Sequence, residues 1–308
     1  MIGPSEPTPG LGRAFGTFGE LLQGVLPDPD RDFLVTLPIA RYSRALFVPD
    51  PQRPDVTVLP PQKVRAREMA ALLVRHFGLE SGGILRIRSQ LPMGKGMASS
   101  SADLVATARA VASALGRRLP TGVLLDLLRQ IEPSDGVMFP GAVAFYHRKV
   151  RLAGLLGDLP PLTIVGTDEG GAVDTLAFNQ IPKPFTAQDK DEYRGLLAEL
   201  ALAINDQNPV AIGRIATRSA VLNQKLLPKR HLEAVLRMVE RVGGLGVAVA
   251  HSGTCLGALL SPAEPSYPEQ LSALRRGLIG LTGNSSVYKG LSFADDLKGT
   301  VETPDTVS

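Results

Sequence analysis

The stretch Leu91-Pro-Met-Gly-Lys-Gly-Met-Ala-Ser-Ser-Ser101-Ala-Asp103 decides how this chain is read. It joins a strand-like apolar run, Ile84 to Arg88, to a helical pattern from Ser99 to Leu115. Between them lie two closely spaced glycines and three serines. Glycine lets a backbone approach a ligand and turn through conformations that a β-carbon forbids. The first N–H groups of a helix are unpaired and sit at the positive end of its dipole. Together these features make a site for a phosphate chain. The serines can cap the helix, bind phosphate oxygens or help to hold a metal ion.

The pattern is not a Walker A loop, since no Gly-x-x-x-x-Gly-Lys-[Ser/Thr] fits. It is not a dinucleotide fingerprint, because Ser99 stands where the third glycine belongs. Pro92, Gly94, Gly96, Met97, Ala98, Ser99, Ser100, Ser101 and Ala102 resemble the Pro-x-Gly-x-Gly-hydrophobic-small-Ser-Ser-[Ser/Ala]-Ala signature of the GHMP kinases, with Met97-Ala98 in place of the more usual Leu-Gly. The resemblance implies an α+β, two-domain GHMP kinase fold. Residues 12–157 would form a ribosomal-protein-S5-like N-terminal half with the ATP phosphate loop. Residues 158–293 would form a ferredoxin-like α/β half, with flexible termini at 1–11 and 294–308. ATP and Mg2+ are the implied cofactors. Residues 92 and 94–101 would bind the nucleotide, and Lys95 either contacts it or points to water.

Composition sets wider bounds. The 308 residues are 44% hydrophobic and 20% charged, which suits a globular chain of one large or two moderate domains. A net charge of +3 suits an anionic substrate without requiring one. No Lys/Arg run reaches the density of a nucleic-acid patch, and aromatics at 5% with no tryptophan argue against a base-stacking platform. One cysteine, Cys255, excludes an internal disulfide and a cysteine zinc cluster; in its apolar run it reads as a small core residue. No apolar stretch approaches the ~18 residues of a membrane span. Met1 to Gly10 lacks the apolar core of a signal peptide, so a cytoplasmic protein is expected.

Short strands are predicted at Phe33–Leu37, Ala45–Val48 and Val56–Leu59, a helix at Gln62–Phe77 and another at Thr121–Gln130. Glu132-Pro-Ser-Asp-Gly-Val-Met-Phe-Pro-Gly141 reads as a turn-rich loop before a strand at Ala142–Lys149. The second half reads as a strand at Leu162–Val165, helices at Asp189–Ile204, Pro209–Asn223 and His231–Val242, strands at Gly246–Ala250 and Cys255–Leu260, a helix at Pro268–Leu281 and a strand at Ser286–Phe293.

Three further segments match GHMP positions. Gly16-Thr-Phe-Gly-Glu-Leu-Leu-Gln-Gly24 resembles the N-terminal segment near the phosphoryl acceptor, so Glu20 and Gln23 would face substrate; by itself it also reads as a surface turn. Phosphoryl transfer to an alcohol needs in-line positioning, a divalent cation and often a carboxylate near the hydroxyl. Asp135 is the candidate carboxylate, either accepting the proton or orienting the hydroxyl. Glu132, helped by Ser99 or Ser100, is the candidate magnesium ligand. Both acids also fit a plain turn. Gly246 to Gly257 resembles the glycine-rich third motif, which would place His251, Ser252, Gly253 and Thr254 at the substrate. With Pro38-Ile-Ala-Arg-Tyr-Ser43, the set is similar to the L-threonine kinase branch, linked to cobalamin synthesis. Residues Arg41, Tyr42 and Ser43 would then recognise the amino acid, an arginine gripping its carboxylate bidentately. That resemblance implies a monomeric or homodimeric kinase for a small-molecule hydroxy-amino acid, with no nucleic acid or membrane partner. Serine, homoserine or a secondary-metabolite alcohol as acceptor, or a non-catalytic nucleotide-binding regulator, are the alternatives.

Overall fold

The computed structural model describes residues 8–79, 81–171, 173, 178 and 180–293. Residues 1–7 and 294–308, most of the expected flexible termini, lie outside the described residues. The first half contains β1 (Gly10–Leu26), β2 (Arg31–Asp50), β3 (Val56–Leu59), α1 (Val64–His76), β4 (Gly82–Ser89), α2 (Ser99–Ala114), α3 (Thr121–Ile131), β5 (Ala142–Tyr146) and β6 (Arg151–Gly157). The second contains β7 (Thr163–Asp168), α4 (Ala187–Asn205), α5 (Pro209–Asn223), α6 (Leu232–Val242), β8 (Gly246–Val249), β9 (Cys255–Leu260), α7 (Tyr267–Thr282) and β10 (Ser286–Lys289).

All the strands belong to one sheet of order β10-β7-β9-β8-β1-β2-β4-β3, with β5 branching from β2 and carrying β6. The sheet curls until Ile39 of β2 bridges Gly290, just past β10. Fully buried Phe18 fills the inside of the curl, its ring lying where β-carbons on Gly166 and Gly257 would stand. Helices α6 and α7 cover the β7–β9 face through Val235, Val239, Leu274 and Leu278.

The longest strands differ from expectation. β1 runs for 17 residues through Gly16 to Gly24, so this segment is strand and not a turn. Its glycines admit neighbours rather than breaking the strand. A β-carbon on Gly12 would stand 2.0 Å from Ala106 O, and one on Gly10 would stand 2.2 Å from Ala110 O. Helix α2, lined there by buried Ala102, Ala106 and Ala110, therefore lies directly on the β1 backbone. Register irregularities at Phe15/Gly16, Thr17/Glu20 and Glu20/Leu22 bend the strand. β2 merges two expected strands into 20 residues. The expected strand at Ala142–Lys149 stops at Tyr146; a single helical turn at His147–Lys149 then leads into β6, whose glycine-spaced sequence gives no alternation to read.

β1 joins the two parts of the sheet, pairing with β2 along its length and with β8 at Glu20–Val249. Past β8, the turn at 250–254 reaches back to the loop before α2. A β-carbon on Gly253 would fall 2.2 Å from the carbonyl carbon and oxygen of Lys95 and 2.3 Å from Gly96 N. No side chain fits there. By contrast, Gly195 is exposed on α4 with open space around it. In urea unfolding, Gly253→Ala is expected to lose ~1–3 kcal/mol through overpacking. Gly195→Ala is expected to gain up to ~1 kcal/mol from helix propensity. Equal effects from both would refute this account of the contact.

Candidate active site

The loop from Leu91 to Ala98 owes its shape to backbone conformation. Gly94 (φ 71°), Gly96 (φ 80°) and Ala98 (φ 53°) are all left-handed. For alanine this is an uncommon and costly state, sustained only where surroundings impose it. Residues of this kind turn neighbouring N–H groups towards a common point. Ala98 is also the residue at which α2 begins, and no side chain caps it. The serines are engaged elsewhere: Ser99 Oγ donates to Leu91 O at 3.0 Å, Ser100 Oγ donates to Glu132, and Ser101 Oγ faces Asp135. The helix start is thus left open for an anion.

In front of it lies a cavity of about 420 Å3. Its wall includes Pro92, Gly94 and 96–101 from the loop and helix start, Glu132 to Asp135 from the turn after α3, Glu20 from β1, and His251 and Ser252 from the 250–254 turn. Lys63, Arg65, Asp103 and His147 also line it. None of these four carries a sequence signal of its own, and they are brought in by α1, α2 and the end of β5.

The acids fall into two groups. Glu132 is buried between Ser100 Oγ and the Arg65 guanidinium. Burial pushes its carboxyl up, against the pull of Ser100 and Arg65. Ser100 and Glu132 place two hard oxygens against each other at the helix start. Magnesium usually keeps waters and takes one or two carboxylates plus phosphate oxygens, so this pair fits it. Among the described residues no cluster of three or more His, Cys, Asp or Glu forms a metal cage.

Asp135 faces the same helix start. Its N–H donates to Ser101 Oγ at 3.0 Å, and Ser101 Oγ donates to its Oδ2 at 3.3 Å. Burial raises its carboxyl to about 6, with the nearby Glu132 charge adding to the rise and the Ser101 hydrogen bond opposing it. Glu20 is buried too, and its carboxyl is held well above the usual range, first by burial and then by the charge of Asp135. Glu20 Oε2 accepts from His251 N at 2.6 Å. His251 Nδ1 lies 3.0 Å from Gln23 Oε1, while Gln23 Nε2 donates to Val249 O. Burial, and then the neighbouring His147 and other basic groups, keep His251 neutral.

Other expected residues lie elsewhere. Arg41 is exposed and stacks over Tyr288, and Tyr42 lies under Arg13; neither lines the cavity. Ser43 is buried and donates to Asp103, which also pairs with Lys63 at 2.5 Å. Thus Arg41, Tyr42 and Ser43 are not brought together as a carboxylate grip: Tyr42 faces away from Ser43 by strand alternation, and Arg41 sits in a bulge where the β1–β2 register breaks between Ile39 and Tyr42. Lys95 turns away from the nucleotide side to pair with Asp168 at 2.6 Å and Gly171 O. Thr254 also donates to Asp168. Burial alone would raise Asp168, but Lys95, Thr254 and the Gly170 N–H outweigh it and hold the carboxyl low. Lys95 and Thr254 are therefore fasteners between loop and turn, with Gly253 packed between them.

Comparison with known proteins agrees with this geometry. Residues 64–144 match the family model described as GHMP kinases N terminal domain. The chain is 30% identical over 253 residues to an L-threonine kinase of Salmonella typhimurium, covering 79% of this chain and 80% of that one. It is 30% identical over 247 residues to an L-threonine kinase of Citrobacter freundii, covering 79% and 83% respectively. Among solved structures, a homoserine kinase from Cytophaga hutchinsonii aligns at a TM-score of 0.68 and 16% identity, over 95% of this chain and 97% of that one; this likeness concerns the fold. A bent glycine loop at an uncapped helix, two acids facing it, and relatives matched along most of the sequence lead to one statement: the chain belongs to the GHMP kinase family, on the branch that holds those L-threonine kinases.

Proposed function

We propose that the protein transfers the γ-phosphoryl group of ATP to the side-chain hydroxyl of a small hydroxy-amino acid, L-threonine first, giving O-phospho-L-threonine. One observation carries this reading: the Asp135 carboxylate and the open start of α2 face each other across one cavity, linked by Ser101. A phosphate chain ending at that helix start leaves its terminal group opposite whatever Asp135 holds.

The residues divide the work. N–H groups of the loop and of Ser99 to Ser101 bind and orient the phosphates. Ser100 and Glu132 hold magnesium, which when bound spreads the negative charge of the transferring group. Lys63, fixed by Asp103, and Arg65, fixed by Glu132, add positive charge to the same wall. Asp135 accepts the hydrogen bond of the acceptor hydroxyl and takes its proton as the bond to phosphorus forms. Glu20, His251 and Ser252 shape the acceptor end, and Gln23, which does not line the cavity, orients His251 from behind. A cytoplasmic monomer or homodimer serving cobalamin synthesis goes with this reading.

ADP release with L-threonine, L-serine, L-homoserine and no acceptor tests the proposal. L-threonine is expected to give the highest kcat/KM, and no acceptor-dependent ADP with any of them would overturn it. The carboxylate form of Asp135 is the active one, so kcat/KM should rise with pH through about 6 and level off above it. Asp135→Asn should lower kcat at least ~100-fold and abolish that inflection while leaving ATP binding in place. Wild-type turnover in this variant would remove Asp135 from the chemistry. Glu132→Gln should raise the magnesium concentration needed for half-maximal rate ~10–100-fold, the scale of a lost supporting ligand; an unchanged magnesium dependence would exclude Glu132 as the metal-holding acid.

A further inference from the structure

Lys229 is a buried cation to which the proposed reaction assigns no part. It lies between α5 and α6, is 5% exposed, and its Nζ donates to the carbonyl of Gly253. Its place is set from several sides. Its own N–H donates to Gln224 Oε1 at 2.8 Å. The next two backbone N–H groups, of Arg230 and His231, donate to the Glu169 carboxylate, which the His231 ring also meets at 3.0 Å. Glu169 N in turn donates to Thr254 O at 3.1 Å. The segment carrying Lys229 is therefore tied to both ends of the Gly253-Thr254 pair.

The carbonyl that Lys229 holds belongs to the residue whose α-carbon rests on the backbone of Lys95 and Gly96. Gly96 is one of the left-handed residues of the phosphate loop, and Gly96 O accepts from Gly19 N on the opposite side at 3.1 Å. The loop is thus clasped between β1 and the 250–254 turn, and Lys229 stands directly behind that turn.

We propose that Lys229 is a positioning residue for phosphoryl transfer: its ammonium pins the Gly253 carbonyl, which presses the turn onto Lys95 and Gly96 and keeps the loop in its nucleotide-binding shape. The inference rests on the kinase reading given above. Its charge also supplies positive potential behind the anion site, where no solvent screens it. The groups facing it are Glu20 on β1, Glu169 after β7, Cys255 at the start of β9 and His251 in the turn. Burial lowers its ammonium to about 8, the carboxylates of Glu169 and Glu20 opposing the fall. At neutral pH it is charged, and the charge is lost as pH rises through about 8.

Calorimetric titration of the full chain with ATP and magnesium between pH 6.5 and 9.5 tests this. The wild type is expected to lose affinity with an apparent pKa near 8. Lys229→Met should weaken ATP binding about tenfold at pH 7, the scale of a lost hydrogen bond to a charged group, and be flat across the alkaline range. Lys229→Arg, always charged, should restore part of the affinity and stay flat through pH 8. In steady state, Lys229→Met should raise KM for ATP more than KM for L-threonine. Wild-type affinity that is unchanged to pH 9.5, or a Lys229→Met variant that binds like wild type, overturns the proposal; the wild-type profile decides even if neither variant folds. Wild type that binds no ATP at pH 7 and releases no ADP with L-threonine would refute the kinase reading itself.

Discussion

Three backbones meet where no side chain has room, and the site depends on that meeting. The middle of β1 gives N–H groups from Thr17 and Gly19 to the carbonyls of Met97 and Gly96 at 3.3 and 3.1 Å. From the other side Gly253 rests on Lys95 and Gly96. Strand, loop and turn come from distant parts of the chain and belong to both halves. Backbone packed this closely cannot relax around a new atom, because protein interiors are as dense as organic crystals. Ala98 can be held left-handed at the head of α2 because the strand and the turn over-determine the loop.

Burial then sets the chemistry. Glu20, Glu132 and Asp135 share one cavity, and for each desolvation is the largest influence, lifting the carboxyl above its solution value. Their neighbours separate them. Arg65 and Ser100 oppose the rise at Glu132, and a serine hydrogen bond does so at Asp135. Glu20 has a backbone N–H and the charge of Lys229 against burial and the like charge of Asp135, and its carboxyl is still held well above the usual range. Groups whose environments push their acidities apart can take different parts in one reaction.

The phosphate loop was legible because its chemistry is local: turn residues and a helix start lie within about a dozen positions of one another. Asp135 and Glu132 were legible only through the reaction they serve, since Pro-Ser-Asp-Gly is equally good turn sequence. Segment Gly16 to Gly24 left strand and turn both open because glycine punctuates most strands; its glycines admit the loop at Gly16, the Val249 backbone at Gly19 and the Tyr193 ring at Gly24, which no local pattern records. Arg41 and Tyr42 misled. Being near Ser43 in sequence does not put them on its side of β2: the pleat turns Tyr42 to the other face, and a bulge at Ala40 and Arg41 sends Arg41 to Tyr288 while Ser43 meets Asp103. Lys63, His147 and Lys229 are ordinary surface-type residues until tertiary packing brings them inside, and Arg65 reaches the cavity from a half-exposed position. Strand β6 alternates in exposure, but its glycine-spaced sequence, Arg-Leu-Ala-Gly-Leu-Leu-Gly, carries neither a polar–apolar alternation nor a branched run to announce it.

Cys255 opens β9 beneath the 250–254 turn, 4% exposed, with its thiol pushed up to about 12 chiefly by burial. The thiolate is the reactive form, so the folded molecule offers almost none of it to an alkylating reagent or peroxide. Since it is the sole sulfhydryl in the sequence, labelling kinetics would follow how often the packing beneath this turn opens. The fold has in effect supplied its own clock for breathing at the nucleotide site, readable without a spectroscopic tag.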